Sequence, residues 1–291
     1  MYVDEIKFYP SVSDLVKNQH IRVAIIDLYN NEPNEGMRGI KSLLEKHPLQ
    51  PHQSMSWKVY DVRFKSEVPD LDYDIYISTG GPGSPMPDEN AHWEKRYFNF
   101  IDSIFEHNLK TTGPKKFLFL ICHSFQLICR HLQIAEVTKR HSTAFGIFSI
   151  HKTDDGKKER FFKHLSDPFY TVDSRDYQVI QPDNNKLLKL GAKILAIEKE
   201  RPHVSYERAV MAIRFTDEIF GTQFHPEADP VGMLQYLIRS DKQQHVIHHH
   251  GQEKYDEMML SLNDDDKIKL TQQVILPSFL RQAIAGSLVS I

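Results

Sequence analysis

Apolar runs and amphipathic segments alternate along the first half of the chain. Continuous runs rich in β-branched residues are typical of parallel strands that are covered on both faces. Four such runs occur, at residues 21–30, 57–64, 73–79 and 115–122. Apolar positions at helical spacing follow three of them, at residues 37–47, 93–107 and 124–133. This alternation predicts an α/β fold with a doubly wound, mostly parallel sheet.

The pattern changes after residue 140. Shorter strand-like segments separated by turns predict extra antiparallel strands, at residues 145–153, 169–180, 192–200 and 209–215. A further strand with a polar turn is predicted at 219–229, followed by a helix at 230–240. We therefore expect an N-terminal extension at residues 1–20, one domain at 21–240, and a helical C-terminal appendage at 241–291.

Composition and charge narrow the classes of function. Hydrophobic residues make up 40% and charged residues 26% of the 291 positions, as in ordinary globular proteins. The net charge of −3 argues against a general binder of nucleic acid or membrane surfaces. No apolar run is long enough for a bilayer, and the N-terminus lacks the pattern of a signal peptide. We expect no nucleic-acid or membrane partner.

Cysteine and histidine usage adds two expectations. The two cysteines cannot form a disulfide framework, and a reducing cytoplasm is their natural compartment. The 16 histidines show none of the spacings that gather ligands around a metal ion. We therefore predict a cytoplasmic protein without a metal site or cofactor.

Both cysteines lie in the stretch FLFLICHSFQLICRHL, residues 117–132. Cys122 falls where a predicted buried strand turns into a helix, an elbow that can project one side chain. Free N–H groups and the positive dipole end of the helix would favour a thiolate there. Buried cysteines also commonly fill cores. This stretch alone leaves both readings of Cys122 open.

The stretch GTQFHPE places His225 and Glu227 two residues apart at a strand end. Residues at this spacing in an extended chain face the same side, and Pro226 favours an extended backbone before it. Glu227 would then orient the His225 ring for a nucleophile. If the pair stood alone, a surface turn would be the favoured explanation, but together with Cys122 the pattern favours a Cys–His–Glu triad.

The stretch TGGPGSP, residues 79–85, follows the third predicted strand. Its glycines allow close approach to a ligand, and its prolines stiffen the loop. The N–H groups of Gly81 and His123 could together stabilise an oxyanion. A plain turn is the simpler alternative. A phosphate-binding P-loop is excluded because no Gly-Lys-Ser/Thr follows.

Taken in order, GGPG, the cysteine elbow and QFHPE resemble the class I glutamine amidotransferases over residues 21–240, most closely their stand-alone GMP-synthase-like domains. The resemblance implies a flavodoxin-like fold and hydrolysis of glutamine through a thioester, with release of ammonia. It assigns Cys122 as nucleophile, His225 as base and Glu227 as its partner. It also implies an oxyanion hole at Gly81 and His123.

The same resemblance places Gln126 at a position that helps to hold the substrate. This chain has Leu120 and Ser124 where the family has glycines, so its elbow is expected to be tighter. Ser174 and Arg175 stand in the loop that contacts the amino-acid end of glutamine in the family. Because Arg is a good fork for a carboxylate, both are expected substrate-binding residues.

Two other functions remain open. The segments SRDY, FGIF and HPEAD also resemble homoserine O-acyltransferases, which use a Cys–His–Glu triad for acyl transfer. A catalytically idle binding domain with the same fold is the second alternative. On the favoured reading the substrate is a small amide or amino acid, with glutamine first. We expect no synthetase domain in this chain, so it would either hydrolyse an amide alone or pass the ammonia to a separate synthetase chain.

Overall fold

The computed structural model describes residues 18–88, 91–201 and 207–287, so most of the predicted N-terminal extension lies outside the described residues. Its first half alternates strands with helices: β1 (Gln19–Asp27), α1 (Glu35–Lys46), β2 (Gln53–Asp61), α2 (Val62–Lys65), β3 (Ile75–Ser78), α3 (His92–Lys110), β4 (Phe117–Ile121) and α4 (His123–His131). The order matches the predicted alternation of buried strands and amphipathic helices.

Strands dominate the next part of the chain, and helices dominate its end. The elements are β5 (Glu136–Lys152), α5 (Asp154–Lys158), β6 (Phe169–Ile180), α6 (Asn184–Leu190), β7 (Lys193–Glu198), β8 (Val210–Arg214), β9 (Ile219–Thr222), α7 (Pro230–Leu237), α8 (Ser240–His250), α9 (Gln252–Ser261) and α10 (Leu270–Gly286). Asp229 caps α7 by accepting a hydrogen bond from Gly232 N, and Pro230 stands at its first position.

Within the described residues, nine strands form one sheet in the order β2-β1-β3-β4-β9-β8-β7-β5-β6. The first five strands of this order are parallel, and β8, β7, β5 and β6 extend the sheet with antiparallel pairs. The strand order reverses between β1 and β3, which makes the carboxyl ends of these strands the natural ligand-binding edge. The predicted doubly wound α/β class is confirmed.

Each face of the sheet carries its own hydrophobic core. One core contains Ile40 of α1 and Phe279 of α10, packed on the strands. The other contains Tyr97 of α3, Phe125 of α4 and Leu187 of α6. Because both faces are covered, the central strands can be apolar at every position, as β4 is.

The last helix belongs to the first of these cores. Phe279 packs edge-on against Phe119, with ring centroids 5.1 Å apart, and against Phe161 at 6.2 Å. Phe117 is a third aromatic neighbour, at 6.5 Å. The division at residues 20 and 240 remains a prediction, but α10 shares the core of the sheet. Helices α7 to α9 instead cover β5 and β6 through a smaller apolar cluster.

Three local predictions differ from the structure. The strand expected to reach Phe64 ends at Asp61, whose carboxylate accepts a hydrogen bond from Phe64 N and starts α2. Strand β5 has 17 residues and begins at Glu136, nine residues before the predicted segment, whereas β6 coincides with its predicted segment. Helix α6 was not expected; Asp183 caps its start and Gly191 ends it at φ 73°. In each case a short-range hydrogen bond or strand pairing outweighs the hydrophobic pattern.

None of the helices in the described part of the chain combines the length and the hydrophobicity that a membrane span requires.

We predict that Phe279→Ala lowers the free energy of unfolding by about 3–5 kcal/mol, because it leaves a cavity among three aromatic rings. Leu188→Ala is the matched control: Leu188 is 80% exposed, so its loss should change stability by no more than about 0.5 kcal/mol. Urea unfolding followed by circular dichroism measures both. Equal small effects would show that α10 contributes little to the core.

Candidate active site

Cys122 occupies the elbow between β4 and α4 with a strained backbone. Its φ is 49° and its ψ is −97°, a region that residues with a side chain rarely adopt. Its N–H donates to the Thr222 carbonyl of β9 at 2.7 Å, and its carbonyl accepts from Gln126 N at 3.0 Å. Strain of this kind persists only where the surroundings hold it, and it clusters at functional sites.

Ser124 and Leu120 replace the glycines expected beside the elbow, and both are accommodated. The Ser124 hydroxyl accepts a hydrogen bond from Ile121 N at 2.8 Å and lies 2.9 Å from the Ser78 carbonyl, to which it can donate. Leu120 pairs with Gly221 of β9. A Cβ on Gly221 would lie 2.8 Å from the Phe125 ring, so this glycine leaves the room that α4 and Leu120 need.

His225 and Glu227 form a hydrogen-bonded pair beside the elbow. The distance between His225 Nδ1 and Glu227 Oε1 is 2.8 Å, and Glu227 is fully buried. The backbone N–H of His225 donates to the Val172 carbonyl at 2.9 Å, and this bond fixes the turn against β6. Burial alone would lower the pKa of His225, but the Glu227 carboxylate and the neighbouring Cys122 side chain raise it well above its ordinary value.

Gly80 shows how close the cysteine and the histidine are. A Cβ at this position would lie 3.0 Å from His225 Cε1 and 3.6 Å from Cys122 Cβ. The loop after β3 can therefore approach both side chains this closely only because residue 80 is a glycine. With Nδ1 held by Glu227, the second ring nitrogen of His225 is the one left for Cys122.

The predicted oxyanion donors, Gly81 and His123, lie at the same edge of the sheet. Both line the cavity that contains Cys122. The His123 N–H belongs to the first turn of α4, where backbone donors have no acceptor within the helix. A Cβ on Gly81 would collide with the Leu28 carbonyl, and Arg63 donates to the carbonyls of Leu28 and Pro82. The glycine loop is thus fixed to the end of β1.

Two glutamines extend the hydrogen-bonding around Cys122. Gln126 Nε2 lies 3.1 Å from Gln223 Oε1 and 3.2 Å from the Tyr177 carbonyl. Gln223 Nε2 in turn lies 3.5 Å from Cys122 Sγ. Gln223 was not singled out from the sequence, although it stands in the same QFHPE stretch as His225. Gln223 is buried with its amide directed toward the sulfur, and no sequence pattern indicates this orientation.

Ser174 and Arg175 lie on adjacent positions of β6 with different surroundings. The Ser174 carbonyl is 3.6 Å from Cys122 Sγ and accepts its S–H. The Arg175 guanidinium is buried and bonded to Asp173 at 2.9 Å and to Glu198 at 3.1 Å. Its charge is already neutralised by these two carboxylates. Arg175 borders the cavity, but its guanidinium is not available as the carboxylate fork that we expected.

Tyr29, at the end of β1, is a site residue that the sequence did not suggest. Its hydroxyl and Glu227 Oε2 are buried, and neither has a hydrogen-bond partner within the described part of the chain. The Tyr29 hydroxyl and Glu227 Oε1 both approach the point that a Cβ on Gly36 would occupy, so they are close neighbours. Burial, with Glu227 and Cys122 nearby, raises the pKa of Tyr29 well above its ordinary value. The phenol is therefore a protonated donor beside the buried carboxylate.

These residues surround a cavity of about 640 Å³. It lies at the carboxyl ends of β1, β3, β4 and β9, the edge expected for a ligand in this fold. Its rim carries charges of both signs, from Glu32, Glu35, Arg38, Asp176, Asp229, Arg239 and Lys242. Among residues 18–88, 91–201 and 207–287, no group of three or more His, Cys, Asp or Glu side chains is arranged to hold a metal ion.

Comparison with known proteins places this architecture in context. The family model described as glutamine amidotransferase class-I matches residues 49–242, more than half of the chain. No curated protein matches the chain in sequence. A glutamine amidotransferase from Thermotoga maritima is 17% identical, with a TM-score of 0.65, and the match covers 91% of this chain and 98% of that one.

Two further solved structures share the fold. A glutamine amidotransferase from Methylobacillus flagellatus is 14% identical, with a TM-score of 0.62, over 93% of this chain and 96% of its own. The glutaminase domain of the Trypanosoma brucei CTPS, solved with bound acivicin, is 16% identical with a TM-score of 0.53, over 71% and 86%.

The buried His123 ring generates a prediction about pH. Burial, with Arg63 and Arg130 nearby, lowers the pKa of His123 to about 3. At a pH below the ordinary histidine pKa, the unfolded chain binds a proton at His123, whereas the folded chain does not. Stability should therefore fall by roughly 1.4 kcal/mol for each unit of pH between about 6 and about 4.

His123→Gln should remove this part of the acid sensitivity, whereas His164→Gln, which changes an exposed histidine, should leave it unchanged. Urea unfolding at pH 7 and pH 4.5 measures the difference for each variant. An identical loss of stability in the wild type and His123→Gln would contradict the prediction.

Proposed function

The chain belongs to the glutamine amidotransferase class-I family, and from this premise we propose that it hydrolyses the side-chain amide of glutamine with Cys122, His225 and Glu227. The observation that carries the proposal is the strained Cys122 elbow beside a histidine that a buried carboxylate holds. A nucleophile, a base and an orienting acid in this arrangement suit acyl transfer.

In the first half of the proposed reaction, His225 accepts the thiol proton and Cys122 Sγ attacks the amide carbon. The carbonyl oxygen becomes an oxyanion, which the N–H groups of Gly81 and His123 stabilise. The C–N bond then breaks as the His225 imidazolium returns its proton to the leaving nitrogen. Ammonia departs, and a γ-glutamyl thioester remains on Cys122.

In the second half, a water molecule attacks the thioester carbon while His225 accepts one of its protons. The C–S bond breaks, the proton returns to the sulfur, and glutamate leaves. Glu227 stays ionised throughout and stabilises the imidazolium that forms twice in the cycle. The Tyr29 hydroxyl, which lies close to this carboxylate, is proposed to stabilise its charge.

Glutamine is the favoured substrate because its free end is a zwitterion and the cavity rim carries both signs of charge. Gln126 and Ser174 are proposed to contact the substrate near the sulfur. Because Arg175 is neutralised by buried carboxylates, Arg239 and Lys242, which share one exposed carboxylate, that of Asp241, are proposed for the substrate carboxylate. A separate synthetase chain is proposed as the acceptor of the ammonia.

The two cysteines offer a matched test of the nucleophile. Cys122→Ala should reduce ammonia release from glutamine by at least about a thousandfold, because no thioester can form. Cys129→Ala should retain most of the activity, since Cys129 is fully buried in the core away from the cavity. Ammonia is measured in a coupled assay, and intact-mass analysis detects the γ-glutamyl adduct. Activity that survives Cys122→Ala would refute the mechanism.

The same assay tests Tyr29. Tyr29→Phe should lower kcat about tenfold with little change in KM, because it removes a buried hydroxyl dipole beside the Glu227 carboxylate. Tyr76→Phe is the control, since Tyr76 is also buried but its hydroxyl donates to the Asp70 carbonyl, away from the cavity. If both variants change kcat equally, Tyr29 has no particular role in stabilising Glu227.

A further inference from the structure

A second cavity, of about 610 Å³, lies beside β5 and β7 and under the helices that follow α7. Thr143 and Phe145 border both cavities. The Thr143 hydroxyl donates to the Asp176 carboxylate at 2.5 Å, and Asp176 borders only the cavity at Cys122. The two cavities are therefore neighbours that share part of one wall.

A network of arginines forms the floor of this cavity. Glu198 lies 3.1 Å from Arg140, 3.1 Å from Arg175 and 3.0 Å from Arg201. Arg175 also binds Asp173, and the side chains of Glu198 and Asp173 are only 8% and 3% exposed. Three guanidinium groups thus share two buried carboxylates. Arg140 and Arg201 border this cavity, whereas Arg175 borders the one at Cys122, so positive charge is in excess beside the second cavity.

Two lysines on the wall add to this excess. Lys199 Nζ lies 5.0 Å and Lys254 Nζ 5.1 Å from the centroid of the same Phe148 ring. Burial and the neighbouring Lys254 ammonium lower the pKa of Lys199. Lys254 has the largely exposed Glu257 at 3.4 Å, whereas no ion pair of Lys199 occurs within the part of the chain that the structure describes.

One arginine donor at the cavity is also unsatisfied. The Nε of Arg201 is buried and has no hydrogen-bond partner among residues 18–88, 91–201 and 207–287. A buried donor without an acceptor is unfavourable, and so is a half-buried set of like charges. An anion that enters the cavity would supply acceptors to the guanidinium and ammonium groups together.

We propose that this cavity binds a phosphate-bearing small molecule. Arginine forks and lysine ammonium groups from several directions suit the many acceptor oxygens of a phosphate or diphosphate better than a single carboxylate. The volume is in the range of small-molecule sites and exceeds what one inorganic phosphate fills. Binding here is independent of the function proposed for the cavity at Cys122.

The test is calorimetric titration of the full chain with pyrophosphate and, separately, with ADP. Saturable binding with one site per chain is expected. The double variant Lys199→Met, Lys254→Met keeps the apolar stems over Phe148 but removes both charges, and should weaken binding at least about tenfold. The ligand with the lower Kd shows whether a free diphosphate or a nucleotide fits the cavity better. Saturable binding of either ligand supports the proposal.

Lys58→Met is the matched control, because Lys58 also lies over an aromatic ring, Tyr60 at 4.7 Å, but on β2 at the opposite edge of the sheet. It should leave binding unchanged, and thermal unfolding should verify that all variants are folded. Cys122→Ala should bind both ligands like the wild type, which separates this proposal from the catalytic one. No saturable binding at millimolar ligand, or equal weakening by Lys58→Met, would overturn the proposal.

Discussion

A cysteine held at positive φ between a fully buried strand and a helix is the constraint on which the rest of the site depends. The conformation of Cys122 is unfavourable for any residue with a side chain, so its neighbours must hold it. Thr222 accepts its N–H, and Ser124 ties the following turn to β3. Gly221 has no side chain where Phe125 and Leu120 need space. The contacts that pack the core are therefore also the contacts that orient the sulfur.

The buried carboxylate of Glu227 is a second constraint at the same edge of the sheet, because it requires polar partners. An ionised group with no exposure is tolerated only with partners, and His225 is the first of them. Helix α1 packs directly against the turn: a Cβ on Gly39 would collide with the Glu227 carbonyl, and Gly36 leaves room for Tyr29. The end of β1 and the start of α1 thereby shape the surroundings of a pair that lies two hundred residues later in the chain.

Strand β6 connects the two cavities. The backbone carbonyl of Ser174 accepts from Cys122, whereas the side chains of Asp173 and Arg175, which face the same side of the strand, join the arginine network. The antiparallel strands beyond β9 thus do more than extend the sheet. They complete one wall of the cavity at Cys122 and build the floor of the other, and α7 to α9 cover both β5 and β6.

The sequence by itself determined the layered α/β class and the strand ends at which Gly81, Cys122 and His225 would lie. Periodicity and local motifs carry this information because they depend on neighbours in the chain. It did not determine the length of β5, which has polar residues at an outer position of the sheet, or the environment of Arg175. Only the tertiary structure decided that Arg175 is neutralised by Asp173 and Glu198, that Tyr29 lies close to Glu227, and that two arginines and two lysines line a second cavity. Each of these results from contacts between residues far apart in sequence, and no short-range pattern records them.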